Sequence, residues 1–197
     1  LLALGSNSLA AQHSTPNQDS SALVASYNNK IAASGDLYYG IEHVGYPQRM
    51  NGFAYFESNE WQKGSVTYNN VLYQDVLLKY DLFTDELVVL HPNNFFAVTL
   101  VSEKVQSFTI GRQPFIYVPA SNKPGIKQPG FYHLLVSGKL SILAKRTKSV
   151  EEKTMVGEVE RTVVQKDQFF VVKDGIANAV SNEASVMSLL GAHERKV

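Results

Sequence analysis

The chain has 197 residues, and its 18 basic and 18 acidic side chains cancel, so no overall field draws it onto nucleic acid or an anionic membrane surface. It has no cysteine, which excludes disulfides, thiolate metal sites, a cysteine nucleophile and a lipid-modified N-terminal cysteine. The length suits one domain with a sizeable core, and its ten tyrosines and ten phenylalanines, set among frequent turn residues, suit many short strands.

Residues 1–12, LLALGSNSLAAQ, read as the end of an apolar signal region, with Ser8 and Ala10 at the small-residue positions of a cleavage site. Cleavage after Ala11 is the near alternative. This predicts an exported protein, periplasmic or extracellular. No later stretch approaches the roughly 20 apolar residues of a membrane span. The polar HSTPNQDSS that follows reads as a flexible leader, so residues 1–19 are expected outside a single β-rich domain over 20–197. Ser20 or Ser21 can cap a short helix carrying Leu23, Tyr27 and Ile31, with Gly35 as its stop.

From Tyr38 the period changes to two. Phe53 and Tyr55 alternate, as do Val66 and Tyr68, and Asn69-Asn70 supplies a hairpin turn tolerant of positive φ. The returning strand is expected to bury Leu72, Val76, Leu78 and Tyr80 on one face and to leave Tyr73, Asp75, Lys79 and Asp81 on the other. Further strands are predicted over 87–91, 95–101, 105–110 and 115–118, before a loop rich in Pro, Gly and Lys over 119–130. A second hairpin turns at Ser137-Gly138 between strands over 131–136 and 139–145. Residues 146–160 are a strand extension or a mobile loop. Asp174-Gly175 turns a third hairpin, between strands over 168–172 and 176–180. Ser181 or Asn182 then caps a helix with Val186, Leu189 and Leu190, which is expected to be cut short at the C-terminus.

No catalytic constellation assembles from these residues. His13, His43, His91, His133 and His193 are scattered, without metal-ligand spacing, and no nucleophile or phosphate-binding motif is present. Catalytic, cofactor-binding and metal-ligating residues are therefore all given as none; His91 with His133, beside Asp81 or Asp85, is the one pair that distant strands could bring together. Asp81, Asp85 and Glu86 could hold a Ca²⁺, but their spacing is that of a turn in which carboxylates accept from local amides. Lys145 to Lys148, KRTK, with Glu151 and Glu152 close behind, read as a solvated strand end. Trp61, Phe83, Phe108 and Phe115, with the pairs Tyr38-Tyr39, Phe95-Phe96 and Phe169-Phe170, read as core, with a ligand cavity as the alternative.

Over LYYGIEHVGY, GFAYF, GSVTYNNVLYQDVLLKYDLFTDELVVL and GKLSILAKRTKSVEE, the chain resembles a family of uncharacterised exported proteins of Bacteroidota. That family's pattern runs LYxGxEY, GxVxYxGxxYxxVxLxYDL and GKLxxLAKRxKS. Tyr39, Gly40, Gly64, Tyr68, Tyr73, Tyr80 and Asp81 fall on its positions, whereas Asn70 replaces a Gly and His43 a Tyr. The resemblance covers most of 22–197. It implies export and a single domain, and it brings no activity.

The expected fold is mainly β: an antiparallel meander of about ten to twelve short strands, curled into a half-open barrel or sandwich, with a short helix near each end. The expected function is that of a non-enzymatic binding or interaction module of the cell envelope, whose partner is a macromolecule. Two alternatives are a carrier of an apolar small ligand inside the curved sheet and a hydrolase with an unrecognised site. No cofactor, nucleic acid or membrane span is expected.

Overall fold

The computed structural model describes residues 35–46, 50–93, 95–120, 125–155, 157–181 and 185. The helices expected before Gly35 and after Ser181 lie outside these residues. Eleven strands form one antiparallel sheet: β1 (Ile41–Glu42), β2 (Gln62–Tyr68), β3 (Val71–Asp81), β4 (Glu86–Leu90), β5 (Ala97–Thr99), β6 (Val105–Ile110), β7 (Gln113–Val118), β8 (Gly130–Val136), β9 (Leu140–Met155), β10 (Glu158–Lys173) and β11 (Ile176–Val180). Their order is β1-β5-β4-β3-β2-β6-β7-β8-β9-β10-β11. Two meanders therefore share β2 as their meeting point, and among the described residues the sheet does not close. Helical geometry is limited there to 3₁₀ turns at Asp36–Tyr38 and Ser102–Lys104 and to Ser185.

The turn chemistry sets the hairpins. Asn69 and Asn70 both have positive φ, 49° and 64°, and so do Asp174 and Gly175, 49° and 75°. Paired positive φ values are the signature of the two-residue turn whose twist matches that of the strands it joins. Beyond the expected limits of the second hairpin, β9 and β10 pair without a break from Leu140↔Lys173 to Met155↔Glu158. Residues 146–155 are thus a strand extension, the first of the two readings.

The alternation expected for β3 needs correction in its first half. Tyr73 is buried, whereas Leu72 is 56% exposed. Gly64 faces Val76 and Val66 faces Tyr73, so β3 spends one more residue than β2 between the two pairs, and Asp75 has φ 56°. This is a β-bulge, and the extra residue exchanges the two faces of the strand. Beyond it Val76, Leu78 and Tyr80 face the core as expected.

That core is filled by rings. Tyr80 stands edge-on to Phe108, Phe115 and Phe131 with centroids 5.4, 5.3 and 5.7 Å away, and Phe108 stacks on its cross-strand partner Phe115 at 4.7 Å. Each such pair adds about 0.5–1.5 kcal/mol to what area burial alone provides. The alternation of β8 sends Tyr132 away from Phe131 into a second cluster with Ile126, Leu143, Phe170 and Ala177. Ile126 is how the Pro- and Gly-rich loop before β8 is held down.

Phe53 and Tyr55, expected to alternate as in a strand, lie in a segment, residues 51–56, that forms only isolated bridges. Phe56 N–H donates to Tyr80 O at 2.8 Å and Leu82 N–H to Ala54 O at 3.1 Å. On the other side Asn51 N–H donates to Arg161 O, Val163 N–H to Asn51 O and Lys148 N–H to Leu82 O. The segment thereby ties the end of β3 to the β9–β10 hairpin; lying alongside β3, it sends Tyr55 to the face of Lys79 and Phe56 to the ring core, where it meets the edge of Phe115.

The KRTK run belongs to this tie, so its reading as a solvated strand end is wrong. Lys145 is 7% exposed and reaches Asp85 Oδ2 at 2.5 Å. Arg146 pairs with Asp167, the residue opposite it in the ladder. Lys148 Nζ donates to Phe53 O and Tyr55 O at 3.1 and 2.6 Å. A buried cation needs paired acceptors, and here the carboxylates of Asp85 and Asp167 and the carbonyls of Phe53, Tyr55 and Phe131 supply them.

Candidate functional site

Beside the 51–56 segment, where it pairs with the end of β3, a cleft of about 330 Å³ opens, lined chiefly by Tyr46, Met50, Phe53, Tyr55, Asn59 and Lys79. Lys79 and Asp81 share the face opposite Leu78 and Tyr80, as alternation implied, and the rings of Tyr55 and Trp61 pack against Lys79 there.

Lys79 is held by rings. Its ammonium lies 4.6 Å from the centroid of Tyr55 and 4.6 Å from that of Trp61. Two aromatic faces attract a cation, yet among the described residues no protein acceptor takes a hydrogen bond from it. Partial burial lowers the Lys79 pKa, and the charge of Glu60 works in the opposite direction. Lys79 is therefore a half-buried cation with donor capacity to spare. Lys148 is the contrasting case, since the carbonyls of Phe53 and Tyr55 already take its donors.

The polar groups around Tyr46 and Tyr55 are internally bonded. Asp81 is fully buried at the end of β3, and its Oδ1 accepts from Phe83 N–H at 2.8 Å and Thr84 N–H at 3.4 Å, as the turn reading requires. Asp81 Oδ2 lacks a hydrogen-bond partner of good geometry. Burial first, and next the carboxylate of Asp81, push the pKa of the Tyr46 phenol up. Tyr55 is raised by burial and then by Asp81, and its hydroxyl lies 2.8 Å from His43 Nε2. His43 Nδ1 meets Thr99 Oγ1 at 3.3 Å, and burial lowers the histidine pKa.

The other residues singled out in the sequence go elsewhere. Asp85 bonds Tyr80 Oη at 2.5 Å through one oxygen, and Lys145 and Phe131 N–H through the other. Asp81 and Asp85 thus serve different partners, while Glu86 lies opposite Asp81 in the ladder. His91 stacks on Phe96 and meets the edge of Tyr38. His133 stacks on Phe115 and accepts from Arg146 Nε at 3.1 Å. The structure gives His91 and His133 separate surroundings. His13 and His193 lie outside the described residues.

Of the aromatic candidates, Phe108, Phe115 and Phe170 are core, whereas Phe95 and Tyr39 are exposed and Trp61 packs on Lys79. Lys79, Tyr46 and Tyr55 were not singled out in the sequence as binding residues. The only signal was the Lys itself, placed between apolar residues in a strand otherwise expected to pack. No family model, curated protein or solved structure matches the chain.

Proposed function

We propose that the chain is an exported, non-enzymatic binding module of the cell envelope, and that the Lys79 cleft grips part of a larger, polar ligand such as a saccharide or peptide chain. The observation that carries this reading is the donor capacity of Lys79, set between two rings at the mouth of a solvent-open cleft. Aromatic walls with a few convergent polar groups are what a recognition site requires. The volume is near the lower end for ligand pockets, about 300–1,000 Å³, which suits one or two units of a polymer. The ring-filled core favours binding at this surface over carriage of an apolar ligand inside the sheet. The likeness to exported Bacteroidota proteins supports the envelope as the setting.

An array of envelope-derived saccharides and peptides, probed with the wild-type chain and with Lys79→Met, tests the proposal. The substitution keeps the stem that packs between the rings and removes the donors. Binding to one ligand class that falls at least tenfold in the variant, at unchanged melting temperature, is the expected result. Equal binding by both proteins, or turnover of a bound ligand, would overturn it.

A further inference from the structure

We infer, on the footing of the binding role proposed above, that the Lys79 cleft selects an acidic saccharide, one whose sugar carboxylate pairs with the Lys79 ammonium. Lys79 carries the only formal charge among the described residues that line the cleft. The ion pairs among the described residues join Lys145 to Asp85, Arg146 to Asp167 and Arg161 to Glu152. No carboxylate of these residues is therefore in contact with Lys79.

The ammonium is already half-buried between Tyr55 and Trp61, and a ligand seated in the cleft removes more of its water. Aromatic faces offset part of that loss, but a cation taken out of water needs an anion or strong acceptors. A sugar hydroxyl offers a neutral acceptor, whereas a carboxylate offers a countercharge and hydrogen bonds roughly twice as strong. Neighbouring acids do not supply the match. Glu60 acts on Lys79 only from beyond contact, and it is exposed, so salt and solvent screen it. Asp81 is fully buried, does not line the cleft, and gives one oxygen to the amides of Phe83 and Thr84. What remains of its charge is shared with Lys148, which lies 4.1 Å from the ring centroid of Phe53, itself a lining residue.

One ammonium with free donors matches one negative charge. A phosphate monoester carries nearly two at neutral pH and would leave part of its charge unmatched. A peptide lying along the cleft would look for main-chain partners, and the adjacent segment has spent its own. Asn51 N–H and O are bonded to β10, Ala54 O accepts from Leu82 N–H, Phe56 N–H donates to Tyr80 O, and the carbonyls of Phe53 and Tyr55 accept from Lys148. The walls are left with ring surface and the exposed amide of Asn59. Rings pack on the C–H face of a pyranose, and an amide bonds its hydroxyls, so this lining suits a sugar better than a peptide backbone.

Calorimetric titration of the full chain with trisaccharides of glucuronate, galacturonate and mannuronate, each beside its methyl ester, tests this. Esterification removes the charge and leaves the sugar otherwise in place. The expected result is that at least one acid binds the wild-type chain about tenfold or more tightly than its ester, and that Lys79→Met binds that acid no more tightly than the ester. A melting curve checks that the variant is folded. Acid and ester bound equally well by the wild type, with both weakened in Lys79→Met, would overturn the acidic ligand and leave the cleft as a binding site. A preference for the acid that survives in Lys79→Met, no binding of any acid, or tighter binding of a glutamate-containing peptide would also overturn the inference, and the array of saccharides and peptides then decides the binding role separately.

Discussion

Lys145 and Asp85 are sixty residues apart in sequence, yet Lys145 Nζ lies 2.5 Å from Asp85 Oδ2. The same ammonium donates to Phe131 O at 3.1 Å, and the other Asp85 oxygen receives the Tyr80 hydroxyl. This network joins the β3–β4 turn to β8 and β9, so it holds the curl of the sheet. Lys145→Met leaves Asp85 without its cation and is expected to destabilise the fold by about 2–4 kcal/mol, below the full cost of a buried pair because the Asp85 side chain is 27% exposed. Adding Asp85→Asn should recover part of that loss. Urea titrations of the single and double variants measure the coupling.

Gly130 belongs to the same network. Its φ is +136°, and a Cβ there would sit 1.9 Å from Asp85 Oδ2 and 2.6 Å from Lys145 Nζ. Gly130→Ala should therefore cost about as much as Lys145→Met, and the two changes together little more than either, since both break one interaction. Full additivity in urea titrations would show that Gly130 acts elsewhere.

Burial, and next the charge of Arg146, lower the pKa of His133. The folded state therefore binds the proton less tightly than the unfolded chain, whose histidine titrates near about 6.5. Stability from this residue is complete above that value and is lost as pH falls through the lower, folded pKa. His43 is lowered too and acts in the same direction. Unfolding free energy should thus decline from pH 7.5 toward about 5.5, with a smaller slope in His133→Gln. A slope unchanged by the substitution would remove His133 as a cause.

Asp75 holds the bulge of β3 at φ 56°. A β-branched residue resists that conformation, and glycine adopts it freely. Asp75→Val is expected to lower stability by about 1–2 kcal/mol, and Asp75→Gly to leave it level or raise it by up to about 1 kcal/mol. Thermal melts of the two variants are sufficient to separate them.

Turns declared themselves in the sequence because Asn69-Asn70 and Asp174-Gly175 carry their own conformational preference. The bulge did not, because Asp75 looks like any polar residue on a solvent face, and one inserted residue reverses what alternation implies for Leu72 and Tyr73. The KRTK run misled for another reason. Glu151 and Glu152 are near it in sequence, but the partners of Lys145 and Arg146 are Asp85 and Asp167, which only the curl and the ladder bring there. The cleft was hidden because residues 51–56 pair beside the end of β3 and set Tyr55 against Lys79, a contact between segments that alternation along either one does not reveal.

Recognition at the Lys79 cleft is most directly tested by amide chemical-shift mapping, with the array's strongest ligand titrated into the isotope-labelled chain. The account predicts shifts confined to residues 45–59 and to the neighbourhood of Lys79 and Trp61, while the amides of Phe108, Phe115 and Phe131 stay still. Shifts centred on those three core rings would place the ligand inside the sheet and contradict it.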